Sequence, residues 1–253
     1  MAVTLEEFFR ENQTAVLGFS GGVDSSFLLY AGMLCGAKIK ACFIKTAFQP
    51  EFELMSALRF AEQLDADFVV MDADILRDAR VTQNPPDRCY HCKKSIISAL
   101  RTYATAVKAP LVIDGTNASD DEAGRPGMRA LCEMGVRSPL RECGITKDDV
   151  RRISKAAGLF TWNKPAYACL ATRIPAGMEI TGPLLQRVEK AEDALFEMGF
   201  SDFRVRVVDG GAAAKLQFPQ AQIGAAFDNR ENIVKLIKPY FESVLLDMEG
   251  RGE

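Results

Sequence analysis

GFSGGVDSS, residues 18–26, sets the architecture to expect from the whole chain. The apolar stretch Thr14 to Phe19 before it reads as a strand, and Asp24 to Cys35 after it carries helical periodicity. A glycine-rich turn therefore falls where a strand ends and a helix begins. Gly21 and Gly22 let the backbone approach an anion without Cβ interference, and Asp24 or a neighbouring serine can cap the new helix. The unpaired N–H groups and dipole at that helix end attract negative charge, so the loop reads as a phosphate cradle. It is not a Walker A loop: GxxxxGK[ST] places a lysine at the helix start, and SGGVDSS carries no cation.

Outward from this loop, apolar runs alternate with helical patterns. After the first pair come strand Ile39 to Lys45, helix Glu51 to Leu64, strand Phe68 to Asp72, helix Cys92 to Val107 and strand Leu111 to Gly115. This alternation predicts an α/β fold, a parallel twisted sheet with helices on both faces and ligands at the carboxyl ends of the strands. GTNASDD, Gly115 to Asp121, leaves the last of these strands as a polar loop at that same end. A helix Lys147 to Ala157 follows a Thr146 cap. Between Phe160 and Gly182 the chain becomes irregular and rich in proline and glycine, which suits a linker. Helix Leu184 to Met198, strand Phe203 to Val208, a turn at Asp209 to Gly211, strand Ala213 to Phe218, helix Glu231 to Tyr240 and strand Ser243 to Leu246 then predict a small α+β domain. The expected division is residues 1–172 and 180–253.

With 253 residues, 48% of them hydrophobic, the chain can bury a full core. No apolar run reaches the roughly 18 residues of a membrane span, and the N-terminal residues resemble no signal peptide, so a cytoplasmic protein without a membrane partner is expected. A net charge of −3 argues against a nucleic-acid partner, whose binding surface normally shows as a basic balance. Seven cysteines in irregular positions do not resemble a secreted disulfide framework; in a reducing compartment they are thiols, metal ligands or catalysts.

Two of them form RCYHCKK, Cys89 and Cys92, beside Arg88, Lys93 and Lys94, with a helix expected to start at Cys92. Cationic neighbours and a helix N-terminus both favour thiolate. A lone CxxC can be half a zinc site, a redox dithiol or a coincidence, and no second CxxC or HxxxH completes tetrahedral zinc. Cys169 stands out in the irregular loop KPAYACLATRIPAG, Lys164 to Gly177. Three cysteines can hold three irons of a cubane cluster and leave the fourth iron open for a sulfide. Cys35 and Cys42 read as core filler, and Cys132 and Cys143 lie in a polar stretch with nothing beside them that suggests a site.

SGGVDSS, GTNASD, GRPGMRA, GVRSPL, WNKPAYACLATRIP and QRVEKAE occur in this order, and with them the chain resembles the LarE family, PP-loop sulfur transferases of nickel-pincer nucleotide biosynthesis. The resemblance implies the Rossmann-like PP-loop ATP pyrophosphatase fold. It also implies ATP-dependent adenylylation of the carboxylates of pyridinium-3,5-biscarboxylic acid mononucleotide, followed by conversion to thiocarboxylates. On this resemblance Ser20, Gly21, Gly22, Asp24, Ser25 and Ser26 surround the pyrophosphate, with Asp24 also touching Mg²⁺; Thr116 and Asn117 are candidates for the nucleotide or the acyl-adenylate, and Arg125 and Arg129 for neutralising phosphate. Sulfur comes either from a single sacrificed cysteine at the position of Cys169, or from a [4Fe-4S] cluster held by three cysteines. Cys89, Cys92 and Cys169 are all present, which favours the cluster and a separate sulfide donor.

Arg204 and Arg206 lie two apart on a predicted strand and so leave one face together, while Phe203, Val205 and Val207 take the other. The family match assigns this pair to the substrate phosphate, with Glu192 near the substrate. A homo-oligomer is expected. The competing functions are a PP-loop tRNA thiolase, an ammonia-using amide synthetase and a non-catalytic nucleotide-binding module.

Overall fold

A computed structural model describes residues 3–120 and 126–252. The chain divides into two compact units, Met1–Ile75 with Asp87–Lys164, and Leu76–Pro86 with Pro165–Glu253.

The first unit runs α1 (Leu5–Glu11), β1 (Thr14–Gly18), α2 (Val23–Leu34), β2 (Lys38–Lys45), α3 (Glu51–Gln63) and β3 (Phe68–Asp72). After the second unit's short α4 (Ala79–Thr82) it resumes with α5 (Arg88–Ala106), β4 (Val112–Ile113), α6 (Pro126–Glu133), α7 (Pro139–Glu142) and α8 (Lys147–Ala156). The strands form a sheet of order β3-β2-β1-β4, and each pairing is parallel. Alternation along the strands builds a core on either side. Ala15, Leu17, Ile39, Ala41 and Phe43 face α1, α2 and α3 through Phe8, Phe9, Phe27, Leu28 and Phe60. Val16, Cys42, Ile44 and Val112 turn the other way onto Leu100 and Ala104 of α5. Fully burying each large apolar side chain contributes roughly 1.5–3 kcal/mol, so this double covering dominates the unit's stability. β1 lies between β2, which follows it, and β4, which arrives from the far side of the chain, so the strand order reverses there and the loops after β1 and β4 flank the crevice where such sheets bind ligands.

The second unit contains α9 (Gly182–Glu197), β5 (Arg204–Val208), β6 (Ala213–Gln217), α10 (Gln220–Asp228), α11 (Arg230–Ile237) and β7 (Ser243–Leu246). Its sheet is β5-β6-β7, antiparallel then parallel. Phe200 and Phe203 close on Phe218 at 4.9 and 5.8 Å between ring centroids, forming an aromatic core typical of a small domain. This unit takes in more of the chain than the 180–253 expected. Gly177 and Ile180 donate backbone hydrogen bonds to the carbonyls of Asn84 and Thr82, at 2.8 and 2.7 Å, and Asn84 Nδ2 donates to Pro175 O at 2.7 Å. Those bonds tie the segment around α4 to the stretch after Cys169. The residues read as a linker, 160–182, carry short 3₁₀ turns at Phe160–Asn163 and Leu170–Arg173. No helix among the described residues is long and apolar enough to cross a membrane.

Candidate functional site

Around the loop after β1, local chemistry does most of the shaping. Gly21 takes φ +69°, and a Cβ there would lie 3.0 Å from the Cβ of Ala57 on α3, so both the turn and the close approach require glycine. Gly22 is the N-cap of α2 and has no side chain to offer, which leaves the amides of the first turn open to an external anion. Ser25 Oγ donates to Gly22 O at 3.2 Å and lies 3.1 Å from Ser20 Oγ, while Gly22 N donates to Ser20 Oγ at 3.3 Å. Ser26 is fully buried, and its Oγ finds no hydrogen-bond partner among the described residues.

The loop after β4 comes to the same place. Gly115 packs so tightly on α2 that a Cβ would meet Ser25 N at 2.8 Å. Asn117, almost wholly buried, donates from Nδ2 to Asp24 Oδ1 at 3.2 Å. Thr116 Oγ1 is turned onto Asp114 Oδ2 at 2.7 Å, and Ser138 Oγ reaches the other oxygen of that carboxylate at 2.7 Å. The structure thus brings Asp24, Asn117 and the serines of the loop together, while the Thr116 hydroxyl is turned onto Asp114. Arg125 lies outside the described residues.

Two lysines complete this arrangement. Lys147, at the first position of α8, places Nζ 2.5 Å from Asp24 Oδ2. Lys164 donates from Nζ to Gly21 O at 3.1 Å, Glu53 Oε2 at 2.9 Å and Ser56 Oγ at 3.1 Å, locking the loop from behind. Lys164 was in plain view in WNKPAYACLATRIP but has no local signature of its role; its partners lie more than a hundred residues away, 143 in the case of Gly21. Lys147 looked only like a helix-start residue after the Thr146 cap. Asp24 fits a hard divalent cation through its carboxylate oxygens, which suits Mg²⁺ beside a pyrophosphate.

Cys89 and Cys92 lie in the first unit. α5 starts at Arg88 rather than at Cys92, so both thiols occupy its N-terminal turns, and Cys89 gains a hydrogen bond from Arg88 Nη2 at 3.5 Å. Cys89 is exposed and Cys92 half-buried. Among the described residues, no three His, Cys, Asp or Glu side chains are gathered into a metal-binding group. The donor set itself, thiols with cationic and helix-end support, has the chemistry that iron–sulfur ligation requires. Of the other cysteines, Cys42 is buried as expected and its thiol is pushed up to about 11 by burial, whereas Cys35 is exposed at the end of α2 rather than part of the core.

Cys169 belongs to the second unit, where a buried ion pair shapes its surroundings. Arg173 and Glu192 have side chains 0% and 1% exposed, and Arg173 grips Glu192 with two bonds of 2.8 and 3.1 Å. Arg173 Nη1 also donates to Ala168 O at 2.7 Å and Cys169 O at 3.4 Å. Glu192 further accepts from Val205 N at 3.0 Å and from the Tyr167 hydroxyl. Burial alone would lower the Arg173 pKa, but the hydrogen bonds and charge of Glu192 outweigh it and carry the net shift upward. Burial, reinforced by Glu192, pushes Tyr167 well above the usual phenol range, so it stays a neutral donor. Arg204 and Arg206 do leave one face of β5: Arg204 Nη2 donates to Ala166 O at 2.7 Å, and Arg206 Nη1 donates to Thr172 O. Burial, then the charges of Arg173 and Arg251, bring Arg204 down to about 10. Three guanidiniums therefore surround the backbone that carries Cys169, and Glu192 is occupied in holding one of them. Arg173 and Tyr167 sat inside the quoted motif, but only their burial reveals what they do.

No family model matches the chain. It is 35% identical over 252 residues to an uncharacterised protein of Synechocystis sp., covering 97% of this chain and 92% of that protein. It is 32% identical over 251 residues to the pyridinium-3,5-bisthiocarboxylic acid mononucleotide synthase of Lactiplantibacillus plantarum, covering 98% of this chain and 90% of the synthase. An uncharacterised protein of Methanocaldococcus jannaschii is 30% identical over 247 residues, covering 97% of this chain and 93% of that protein. End-to-end similarity to the synthase, on a parallel sheet whose first loop is the SGGVDSS cradle, shows that the chain belongs to the LarE family.

Proposed function

We propose that this protein is an ATP-dependent, AMP-forming sulfur transferase that converts the carboxylates of pyridinium-3,5-biscarboxylic acid mononucleotide to thiocarboxylates. The observation that carries the reading is the similarity to the synthase over nearly the whole chain. The open amides of α2, the glycines before them and the Asp24 carboxylate support the ATP step.

In that step a carboxylate oxygen of the substrate attacks the α-phosphorus of ATP, the bond to the β-phosphate's bridging oxygen breaks, and pyrophosphate leaves. Ser20, Gly21, Gly22, Ser25 and Ser26 cradle the leaving group, and Asp24 holds its Mg²⁺; Thr116, Asn117 and Arg125 hold the nucleotide. A sulfide then attacks the acyl carbon, and AMP departs with the electrons of the C–O bond. The same sequence repeats on the second carboxylate. Arg204 and Arg206 serve the substrate phosphate, for which the guanidinium fork is suited, and Glu192 keeps Arg173 and Tyr167 in place beside them. Cys89, Cys92 and Cys169 are the proposed ligands of a [4Fe-4S] cluster, which when bound supplies an iron-held sulfide. The alternative form of the same reaction needs no cluster: Cys169 gives up its own sulfur and becomes dehydroalanine.

Anaerobic purification with iron and sulfide analysis, followed by counting thiocarboxylates formed per chain, tests both. Iron with repeated turnover supports the cluster. An iron-free protein that stops after one sulfur and loses the mass of H₂S supports sacrifice of Cys169. No pyrophosphate release on adding ATP and substrate would overturn the function itself.

A further inference from the structure

A loop that binds pyrophosphate without a lysine faces an electrostatic deficit, since the oligophosphate carries several negative charges and Asp24 adds another. The fold supplies the missing cation from another element. Lys147 stands at the start of α8, its backbone N donates to Ser119 Oγ at 3.0 Å, and Nζ reaches Asp24 Oδ2 at 2.5 Å. Ser119 N in turn donates to Asn117 Oδ1 at 2.8 Å, and Asn117 Nδ2 bonds the other oxygen of Asp24. The amino group of Lys147 is therefore fixed beside the N-terminus of α2, where the open amides lie. Its side chain is 32% exposed and that of Asp24 23%, so both are open to a bound ion.

The geometry points to an exchange of partners: Lys147 neutralises Asp24 while the loop is empty, and when Mg²⁺ and pyrophosphate or ATP bind, Asp24 turns to the metal and Lys147 passes to the terminal phosphates. This rests on the reading of the loop as an ATP site. Asp24 cannot hold both a lysine and a dication with the same oxygens at full strength, whereas an ammonium released beside the N-terminus of α2 would find its partner in a phosphate bound there. No charge is left unpaired in either state. Lys147 thus does from a neighbouring helix what the P-loop lysine does from within its own loop, and the salt bridge keeps the empty site from being a strong, unselective metal trap.

The test uses inorganic pyrophosphate, with and without Mg²⁺, titrated calorimetrically into the wild-type chain and into Lys147→Gln, Lys147→Arg and Asp24→Asn; Mn²⁺ binding without nucleotide is followed by electron paramagnetic resonance. Lys147→Gln should weaken Mg²⁺–pyrophosphate binding roughly ten- to a hundredfold, the loss expected of one charge-assisted hydrogen bond, and Lys147→Arg should recover most of it. Without metal, Asp24→Asn should bind pyrophosphate more tightly than wild type because Lys147 is released, and Lys147→Gln should bind Mn²⁺ more tightly because Asp24 is released. A pair that only braced the fold would weaken every one of these together. Normal wild-type binding with unchanged pyrophosphate affinity in Lys147→Gln would overturn the exchange and leave the ATP site standing. Absence of binding by the wild-type protein would overturn the ATP site and the exchange with it. Thermal melts of the variants show that loss of affinity is not loss of fold.

Discussion

The loop after β1 and the loop around Cys169 are both short, polar and irregular, yet they are held by opposite means. The first is shaped mostly within itself: Ser20, Gly22 and Ser25 bond one another inside six residues, and Lys164 adds a brace at Gly21 O. The second has an ion pair that is almost wholly buried, with Arg173 binding the carbonyls of Ala168 and Cys169, and two further arginines reaching in from β5. The difference follows from what each must present. An anion cradle offers backbone N–H groups, which a helix end and glycines supply at little cost in side chains. A loop that presents one thiol needs its backbone fixed by outside groups, and buried charges fix it at a high desolvation cost that only full pairing offsets.

The largest effect should come from breaking the second kind of support. Glu192→Ala leaves the Arg173 charge buried and unpaired, which should cost about 3–5 kcal/mol in urea unfolding, while pyrophosphate binding by any chain that remains folded stays normal. An equal loss of pyrophosphate affinity would show that the two loops do not depend on separate supports. Breaking the first kind should be milder for the fold and harsher for the ligand. Gly21→Ala forces a Cβ into a left-handed backbone against Ala57, at roughly 1–2 kcal/mol, and ATP affinity measured by calorimetry should fall at least about tenfold.

Lys164→Met sharpens the comparison, because it removes the brace that ties Gly21 O to Glu53 and Ser56 of α3. Glu53 would lose its charged partner, so a stability loss of about 1–3 kcal/mol is expected, together with a weaker ATP Kd; an unchanged Kd would mean that the local bonds alone hold the loop. The smallest effect concerns pH. Burial brings Arg204 down to about 10, and deprotonation removes its positive charge, so phosphate bound there should be held below that pH and released as pH rises through it. Calorimetry with inorganic phosphate should show the step in wild type and not in Arg204→Gln; a step that persists in the variant would assign it to another group.

Much of the first unit could be read along the chain, because its signals are local. A strand, two glycines, a helix start and the alternation in Thr14–Gly18 all lie within the reach of one another's periodicity. Less could be read where the pattern was weak. α10 starts after Pro219 and contains Gly224, and α6 sits in a stretch read only for its arginine motif, so neither helix was expected. Cys35 was expected inside because it closes an amphipathic helix, but the helix ends there and its last turn meets solvent.

Residue order alone established the sheet class, the glycine-rich turn between β1 and α2, the set of cysteines and the pair of arginines on one face of β5, since each depends on spacing that the backbone's own periods make visible. Folding was needed to bring Lys147 to Asp24 across 123 residues and Lys164 to Gly21 across 143, and to bury Glu192 among its donors. Contacts of that range leave no periodic trace, because a single charge finds its partner through packing of whole helices and strands rather than through any local rule. The loop without a lysine is therefore complete only in three dimensions, where α8 provides one.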